Sequence, residues 1–368
     1  MKTALITGGA GFIGCHLAEA LLRHGYHVRI LDSLIEQVHQ RGEDALRLPR
    51  EAELIEGDIR DAGKVKRALA GVSHVVHLAA EVGVGQSMYA IDRYVSVNDY
   101  GTAVLFQQLV DNPVERVVVA SSMSIYGEGL YRDADGNLID DAVRGEIGAG
   151  SWEPLDRSGR PLIPAPTPEW KRPSLSSVYA LGKYAQERLT LMLCAAYGMQ
   201  GTALRLFNVY GPGQALSNPY TGVLAIFASR LLNGRPPLVY EDGRQRRDFV
   251  HVRDVARAFV TALEHPASAG KVYNVGSGDH RTIAEVGTLL ARAMGRAEVV
   301  PEITAKARSG DIRHCFADVT LAEAELGFRS QQDFGEGLAE LAEWVARQQA
   351  SDRAEDARRE LEARGLVA

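Results

Sequence analysis

The heptapeptide GGAGFIG at residues 8–14 constrains this chain more than any other stretch. It follows the apolar run TALIT (3–7) and opens a segment whose Ile13, Leu17, Ala20 and Leu21 fall on one helical face. Gly9, Gly11 and Gly14 satisfy G-x-G-x-x-G, and Gly8, Gly11 and Gly14 satisfy G-x-x-G-x-x-G. Glycine spacing alone is weak, but between a strand and a helix it has a physical reading. Backbone without a Cβ can approach a pyrophosphate, and the helix N-terminus turns its unpaired N–H groups toward the negative charge. The pattern predicts a dinucleotide-binding turn with Gly8, Gly11, Phe12, Ile13 and Gly14 at the cofactor.

The same rhythm continues. HVRILD (27–32), AELIEG (52–57), HVVHLAA (74–80) and RVVVASS (116–122) read as buried strands, with a helix near 89–111. Alternating strands and helices predict an α/β fold, a Rossmann-type doubly wound parallel sheet with right-handed crossovers. A helix over 177–197 and a strand in TALRLFNVYG (202–211) complete this half. With 368 residues, about two domains are expected. Residues 1–211 form the NAD-binding domain and 212–348 a smaller mixed α/β substrate-binding lobe, with the chain free to cross between them. There Thr282 and Glu285 form a capping box ahead of a helix over 281–295. The Gly-, Pro- and Asp-rich stretch 128–176 reads as a long insertion lying over a site, or else as disordered chain. The charged stretch 349–368 reads as a solvated helix or frayed tail.

Asp32 ends the second strand, 18 positions after Gly14. A carboxylate there accepts from both adenosine-ribose hydroxyls and repels a 2′-phosphate, which favours NAD over NADP. Asp58 and Ile59 follow the third strand, in reach of an adenine edge. A formal net charge of −6 gives no global attraction for nucleic acid. Three scattered cysteines, Cys15, Cys194 and Cys315, fit a reducing compartment and no zinc site, so no metal is expected. No apolar run is long enough to span a membrane, and the N-terminus lacks a signal-peptide layout; a cytoplasmic location is expected.

Tyr179 and Lys183 stand at i and i+4 in YALGK and share a helix face. Ser122 ends the fifth strand, at the sheet edge where open α/β folds place their chemistry. The set TGGAGFIG, HLAA, SSMSIYG, YALGK, RLFNVYG and RRDFVHV resembles the extended short-chain dehydrogenases/reductases, and within them the NAD-dependent sugar-nucleotide epimerases and dehydratases. The resemblance runs from residue 3 to about residue 318.

By that resemblance Tyr179 is the acid/base, Lys183 holds the nicotinamide ribose and lowers the phenol pKa, and Ser122 bonds the reacting sugar oxygen. Leu78, Ala79 and Ala80 of HLAA line the cofactor site, and Asn98 supports the cofactor and the active-site backbone. Glu81, Gln86 and Ser87 line the sugar pocket with Ser124, and Asn208 contacts substrate. Arg247, with Arg246 one register away, and Arg308 grip the diphosphate, and Asp311 meets the ribose or base. Guanidinium suits a diphosphate because it bonds bidentately.

Family dehydratases resemble Thr-Asp-Glu where this chain has Ser122, Met123 and Ser124, and decarboxylating members tend to have Glu where Ser124 stands. The resemblance therefore implies an epimerase, most simply at C4, in which hydride moves to tightly bound NAD, the 4-keto sugar turns over, and hydride returns to its other face. HLAAEVGVGQSMY resembles dTDP-L-rhamnose 4-epimerases and, next, UDP-glucose and UDP-glucuronate 4-epimerases, which implies a dTDP- or UDP-sugar substrate. It departs in 128–176, where the rhamnose enzymes carry cysteines and this chain has none. The alternatives are decarboxylation, dehydration or net dehydrogenation on the same scaffold, or a non-catalytic NAD-binding sensor. Pairing of the helices near 89–111 and 177–197 into a bundle implies a homodimer.

Overall fold

A computed structural model describes residues 2–39, 48–145, 152–308 and 310–367. Its centre is a seven-stranded sheet. From edge to edge the strands are Val272–Val275, Gln200–Leu206, Arg116–Ser122, His74–His77, Thr3–Thr7, His27–Asp32 and Glu53–Glu56, all parallel. Strand order reverses between Thr3–Thr7 and His74–His77, so the glycine turn and the loop after His77 open beside each other. That crevice is where a doubly wound sheet receives its ligand.

The inner strands are apolar at their centres because both faces are covered. Leu5, Val75 and Val117 face one core cluster, and Ala4, Ile6, Val76 and Val118 face the other. The helix Phe12–Arg23 packs on the second face beside Val252–Glu264. Gly14 allows the first of these contacts, since a Cβ there would lie 2.4 Å from the Gly9 carbonyl oxygen. The helix Val178–Ala196 is held to the sheet by a buried ion pair: Arg205 Nη2 donates to Glu187 Oε1 at 2.7 Å, and the Ser121 hydroxyl donates to Glu187 Oε2 at 2.6 Å.

The chain crosses between lobes after residue 211, so that division is not a clean one. Val272–Val275 returns to the edge of the main sheet, and Val252–Glu264 packs on its face. The second lobe is built around Val223–Leu232, Ile283–Ala293 and Phe334–Val345. The expected capping box is present: the Thr282 hydroxyl accepts from the Glu285 N–H, and the Glu285 carboxylate accepts from the Thr282 N–H. The helical run expected near 89–111 begins at Ile91, passes through a π-turn at Val95–Tyr100 and ends at Asp111.

The insertion expected to lie over a site does not do so among its described residues, and 146–151 fall outside them. Leu130–Arg132, Leu138–Ile139 and Ile163–Ala165 form a small antiparallel sheet. It docks on the second lobe, where Thr167 bridges to Ala317 and Glu128 accepts from the Arg313 N–H at 2.7 Å. Residues 349–367 are not a solvated tail either. Ala354–Ala363 is a helix lying on the cleft between the lobes.

Candidate active site

A cleft of about 1150 Å³ runs from the glycine turn, past the ends of the strands, to the second lobe. Gly8, Gly11, Phe12, Ile13 and Gly14 line one end. Gly8 has φ +68°, and a Cβ on it would lie 2.8 Å from the Ala79 backbone, so only glycine lets the turn pass beneath the fourth strand. Asp32 ties this turn to the next loop: its Oδ2 accepts from the Ala10 N–H at 3.0 Å and its Oδ1 from the Leu34 N–H at 2.9 Å. His39 Nε2 lies 3.4 Å from Oδ1. Asp58 is chelated by Arg60, whose side-chain bond is the main reason the carboxyl is held below its usual range. Ile59, Leu78, Ala79 and Ala80 line the same wall.

The reactive groups meet at the middle of the cleft. The strand Arg116–Ser122 delivers Ser122, and the helix capped by Ser177 delivers Tyr179 and Lys183 one turn apart. The Ser122 hydroxyl and the Tyr179 phenol face the same part of the cleft. Burial pushes that phenol up, and the Ser122 hydroxyl pulls it down. Lys183 Nζ donates to the Ala120 carbonyl at 2.9 Å and to Gln186 Oε1 at 3.0 Å. Burial pushes the Lys183 ammonium down to about 7. Ser124 donates to Ser122 Oγ through both its N–H and its hydroxyl, at 3.1 and 2.9 Å.

Around them, Glu81 lines the cavity and accepts from Arg93 Nη2 at 3.0 Å; burial raises its carboxyl pKa and Arg93 opposes that. Asn98 lies behind the wall, fully buried. Its amide bridges the Glu81 N–H and C=O at 2.7 and 3.1 Å, a backbone-supporting position. Gln86 and Ser87 are behind the wall as well, and neither faces the cavity. The short helix Val84–Ser87 turns the Ser87 hydroxyl onto the Val84 carbonyl at 2.7 Å and Gln86 Oε1 onto Arg93 and Tyr94.

At the far end, Asn208 lines the cavity, and its buried Oδ1 has no hydrogen-bond partner. The same is true of Gln214 Oε1 and Gln245 Oε1, which sequence reasoning missed. Unsatisfied buried amide oxygens are expensive and ask for a donor from a ligand or water. Arg247, rather than Arg246, lines the cavity. Its Nη1 donates to the Arg246 and Arg313 carbonyls at 2.9 Å, and its Nη2 to the Ile312 carbonyl. Arg308 stacks over the Tyr240 ring at 4.5 Å and donates to Asp311 at 2.8 Å. Arg93 and the inner face of the C-terminal helix also line the cavity and were missed. Arg93 had no motif to mark it. The helix did carry a signal, the spacing of Ala354, Ala357, Arg358 and Leu361.

This geometry has known counterparts. Residues 4–142 and 159–276 match the family model described as NAD dependent epimerase/dehydratase.

The chain belongs to that family.

The chain is 36% identical over 354 residues to a dTDP-L-rhamnose 4-epimerase of Burkholderia thailandensis, covering 94% of this chain and 96% of the relative. Its fold matches a Thermus thermophilus UDP-glucose 4-epimerase solved with NAD, at TM-score 0.73 and 32% identity, over 94% of this chain and 100% of that one. It also matches a Thermotoga maritima UDP-glucose 4-epimerase solved with UDP-glucose, at TM-score 0.76 and 29% identity, over 94% and 98%. The family is NAD-dependent, and the cradle fits that cofactor. Gly11 leaves room at the helix N-terminus, where an added Cβ would meet only the Gly8 carbonyl oxygen, at 3.3 Å. The Asp32 carboxylate stands at the end of the neighbouring strand. Among the described residues no group of three or more His, Cys, Asp or Glu side chains is arranged to hold a metal. Among the described residues no helix is long and apolar enough to cross a membrane.

Proposed function

We propose that this chain is an NAD-dependent nucleotide-sugar epimerase acting at C4, with a dTDP- or UDP-sugar as substrate. The observation that carries this is the meeting of Ser122, Tyr179 and Lys183 in the same cleft as the glycine turn and Asp32. NAD, when bound, supplies a reversible hydride acceptor, so no net redox change results. The rest falls to the chain. The Tyr179 oxygen takes the proton of the sugar hydroxyl and later returns it. The Ser122 hydroxyl holds the reacting oxygen in line. Met123 and Ser124 carry no acid at the positions where a dehydratase needs one, which disfavours water loss.

Asn208, Gln214 and Gln245 offer buried acceptors to the nucleotide end of the substrate. Arg308, Arg247 and Asp311 hold its diphosphate and ribose. A homodimer is part of the same reading, formed through the exposed apolar face of Ile91–Asp111 and Val178–Ala196, as is a cytoplasmic location.

The test is incubation of the purified protein with UDP-, dTDP-, GDP- and CDP-sugars in deuterated water. Inversion at C4 is expected, without solvent deuterium at C3 or C5, without release of carbon dioxide, and with the NAD content unchanged. Release of carbon dioxide or formation of an anhydro product would overturn the epimerase reading.

A further inference from the structure

The last helix, Ala354–Ala363, carries a net surplus of charged residues, yet one face of it closes the cleft. Ala354, Ala357, Arg358 and Leu361 follow the i, i+3, i+4, i+7 pattern, and all four line the cavity. The helix is pinned from both lobes. On the cofactor side the Tyr89 hydroxyl donates to Glu360 Oε2 at 3.1 Å, the Arg364 guanidinium lies 4.4 Å from the centre of the Tyr89 ring, and Leu361 lies against Gly85. On the other side the Tyr220 hydroxyl donates to the same Glu360 oxygen at 3.2 Å, Lys306 pairs with Glu362 at 2.8 Å, and Val367 bridges to the backbone of Arg308.

Arg358 therefore lines the same cavity as Arg308. Burial pushes the Tyr240 phenol up, and both guanidiniums pull it down, Arg308 more than Arg358, so both cations bear on one ring. Arg358 lies 3.2 Å from Glu355 and 3.7 Å from Glu362, yet its Nε is buried without a hydrogen-bond partner. Arg247, in contrast, has both terminal nitrogens held by backbone carbonyls. With Arg247 partly committed to backbone and Arg308 paired with Asp311, a dianionic diphosphate in this cleft has use for a further cation.

Resting on the nucleotide-sugar reading, we propose that the C-terminal helix is a wall of the substrate site and that Arg358 supplies a further guanidinium to the nucleotide diphosphate. The ionic pins of the helix are exposed enough to be labile. Leu361 against Gly85 and Ala357 against the cavity are the apolar contacts that seat it.

The experiment compares full-length, NAD-loaded wild type, R358Q and L361E by calorimetric titration with UDP, dTDP, uridine and thymidine. For R358Q, affinity for the diphosphates is expected to fall at least tenfold, with the nucleosides unchanged and the salt dependence of binding shallower. L361E, which unseats the helix, is expected to weaken the diphosphates at least as much. Hydrogen exchange of residues 354–363 in the wild type is expected to slow on adding UDP or dTDP. Diphosphate affinities within twofold of wild type in both variants, or exchange unaltered by a nucleotide that binds, would overturn the proposal. A wild type that binds no nucleoside diphosphate at all would instead overturn the nucleotide-sugar reading, and this proposal with it.

Discussion

The Ser122 hydroxyl, at the C-terminal end of the strand Arg116–Ser122, acts on the Tyr179 phenol across the cleft and pulls its pKa down, and the surroundings leave that hydroxyl one role. Ser124 donates to Ser122 Oγ twice, through its N–H at 3.1 Å and its hydroxyl at 2.9 Å. With its lone pairs occupied, Ser122 has one proton left to offer to an oxygen in the cleft. A donor acting on the phenol oxygen favours the phenolate and works against burial, which pushes Tyr179 up.

Removing the donor should therefore shift the pH dependence of turnover in one direction. The proposed base works deprotonated, so the acid limb of kcat follows the phenol. In S122A that limb should move to higher pH, and kcat near neutral pH should fall by about 10²- to 10⁴-fold. S124A, which frees one Ser122 lone pair while the backbone N–H still occupies the other, should move the limb the same way by less. Y179F should retain NAD and lose turnover at every pH. A pH–rate profile of S122A that superimposes on wild type would remove Ser122 from the mechanism.

Asp32 has two tasks in the cofactor cradle. Its oxygens fix the Ala10 and Leu34 N–H groups, and the carboxylate end faces the cleft. D32A should lose a charged hydrogen bond to the cofactor, about 1.5–3 kcal/mol, or roughly 10- to 150-fold in NAD affinity. The discrimination against NADP should narrow, since the repulsive charge is gone. Titration of cofactor-stripped protein with each dinucleotide measures both effects. An NAD affinity unchanged in D32A would place the ribose elsewhere.

The strands TALIT, HVRILD and RVVVASS occupy the residues read from the sequence, because a strand buried on both faces is an uninterrupted apolar run closed by polar or glycine residues. Ser122, Tyr179 and Lys183 were legible for a related reason: each sits at a fixed offset from such an element. Gln86 and Ser87 were misplaced because whether a side chain faces a cavity depends on the one-turn helix Val84–Ser87, and four residues carry no readable period. A helix was one reading of 349–368, but its docking on the cleft was missed because its inner face, Ala354, Ala357, Arg358 and Leu361, holds a single large apolar side chain among many charges. The stretch 128–176 was read by length and composition. Neither reports that Thr167 and Glu128 tie it to the second lobe instead of the cleft.

The exposed apolar side chains on the paired helices give a prediction about assembly. Ile91, Val95 and Tyr100 on one helical run, and Leu181 and Met192 on the other, are all exposed. Large apolar side chains exposed together on two packed helices are what an interface between chains would cover. Sedimentation velocity should give twice the chain mass. Val95→Asp combined with Leu181→Asp should give a single chain, with cofactor content retained. A wild type that sediments as one chain at micromolar concentration would rule out the dimer.

The insertion is fastened to the second lobe by Arg313, which is 1% exposed and surrounded by acids. Its guanidinium donates to Glu153 Oε1 at 2.6 and 2.9 Å, to Asp242 at 2.6 and 2.9 Å and to Glu241 at 3.0 Å. His314 Nε2 lies 2.8 Å from the other Glu153 oxygen. Burial pushes the Glu153 carboxyl up, but the bonds to His314 and Arg313 outweigh it and hold the group at about 2, below its ordinary 4.5. A carboxyl lowered on folding stabilises above its unfolded pKa, and that stability drains away as pH falls toward the folded value. E153Q should therefore melt below wild type at pH 7, and the gap should close steadily as the pH is taken down from about 4.5. R313M should be worse at neutral pH, because it removes the cation shared by Glu153, Asp242 and the buried Glu241, which is left with Arg144 alone. Melting temperatures of the three proteins between pH 7 and pH 3 decide it. A gap between wild type and E153Q that stays constant across that range would mean Glu153 is not held ionised by Arg313 and His314.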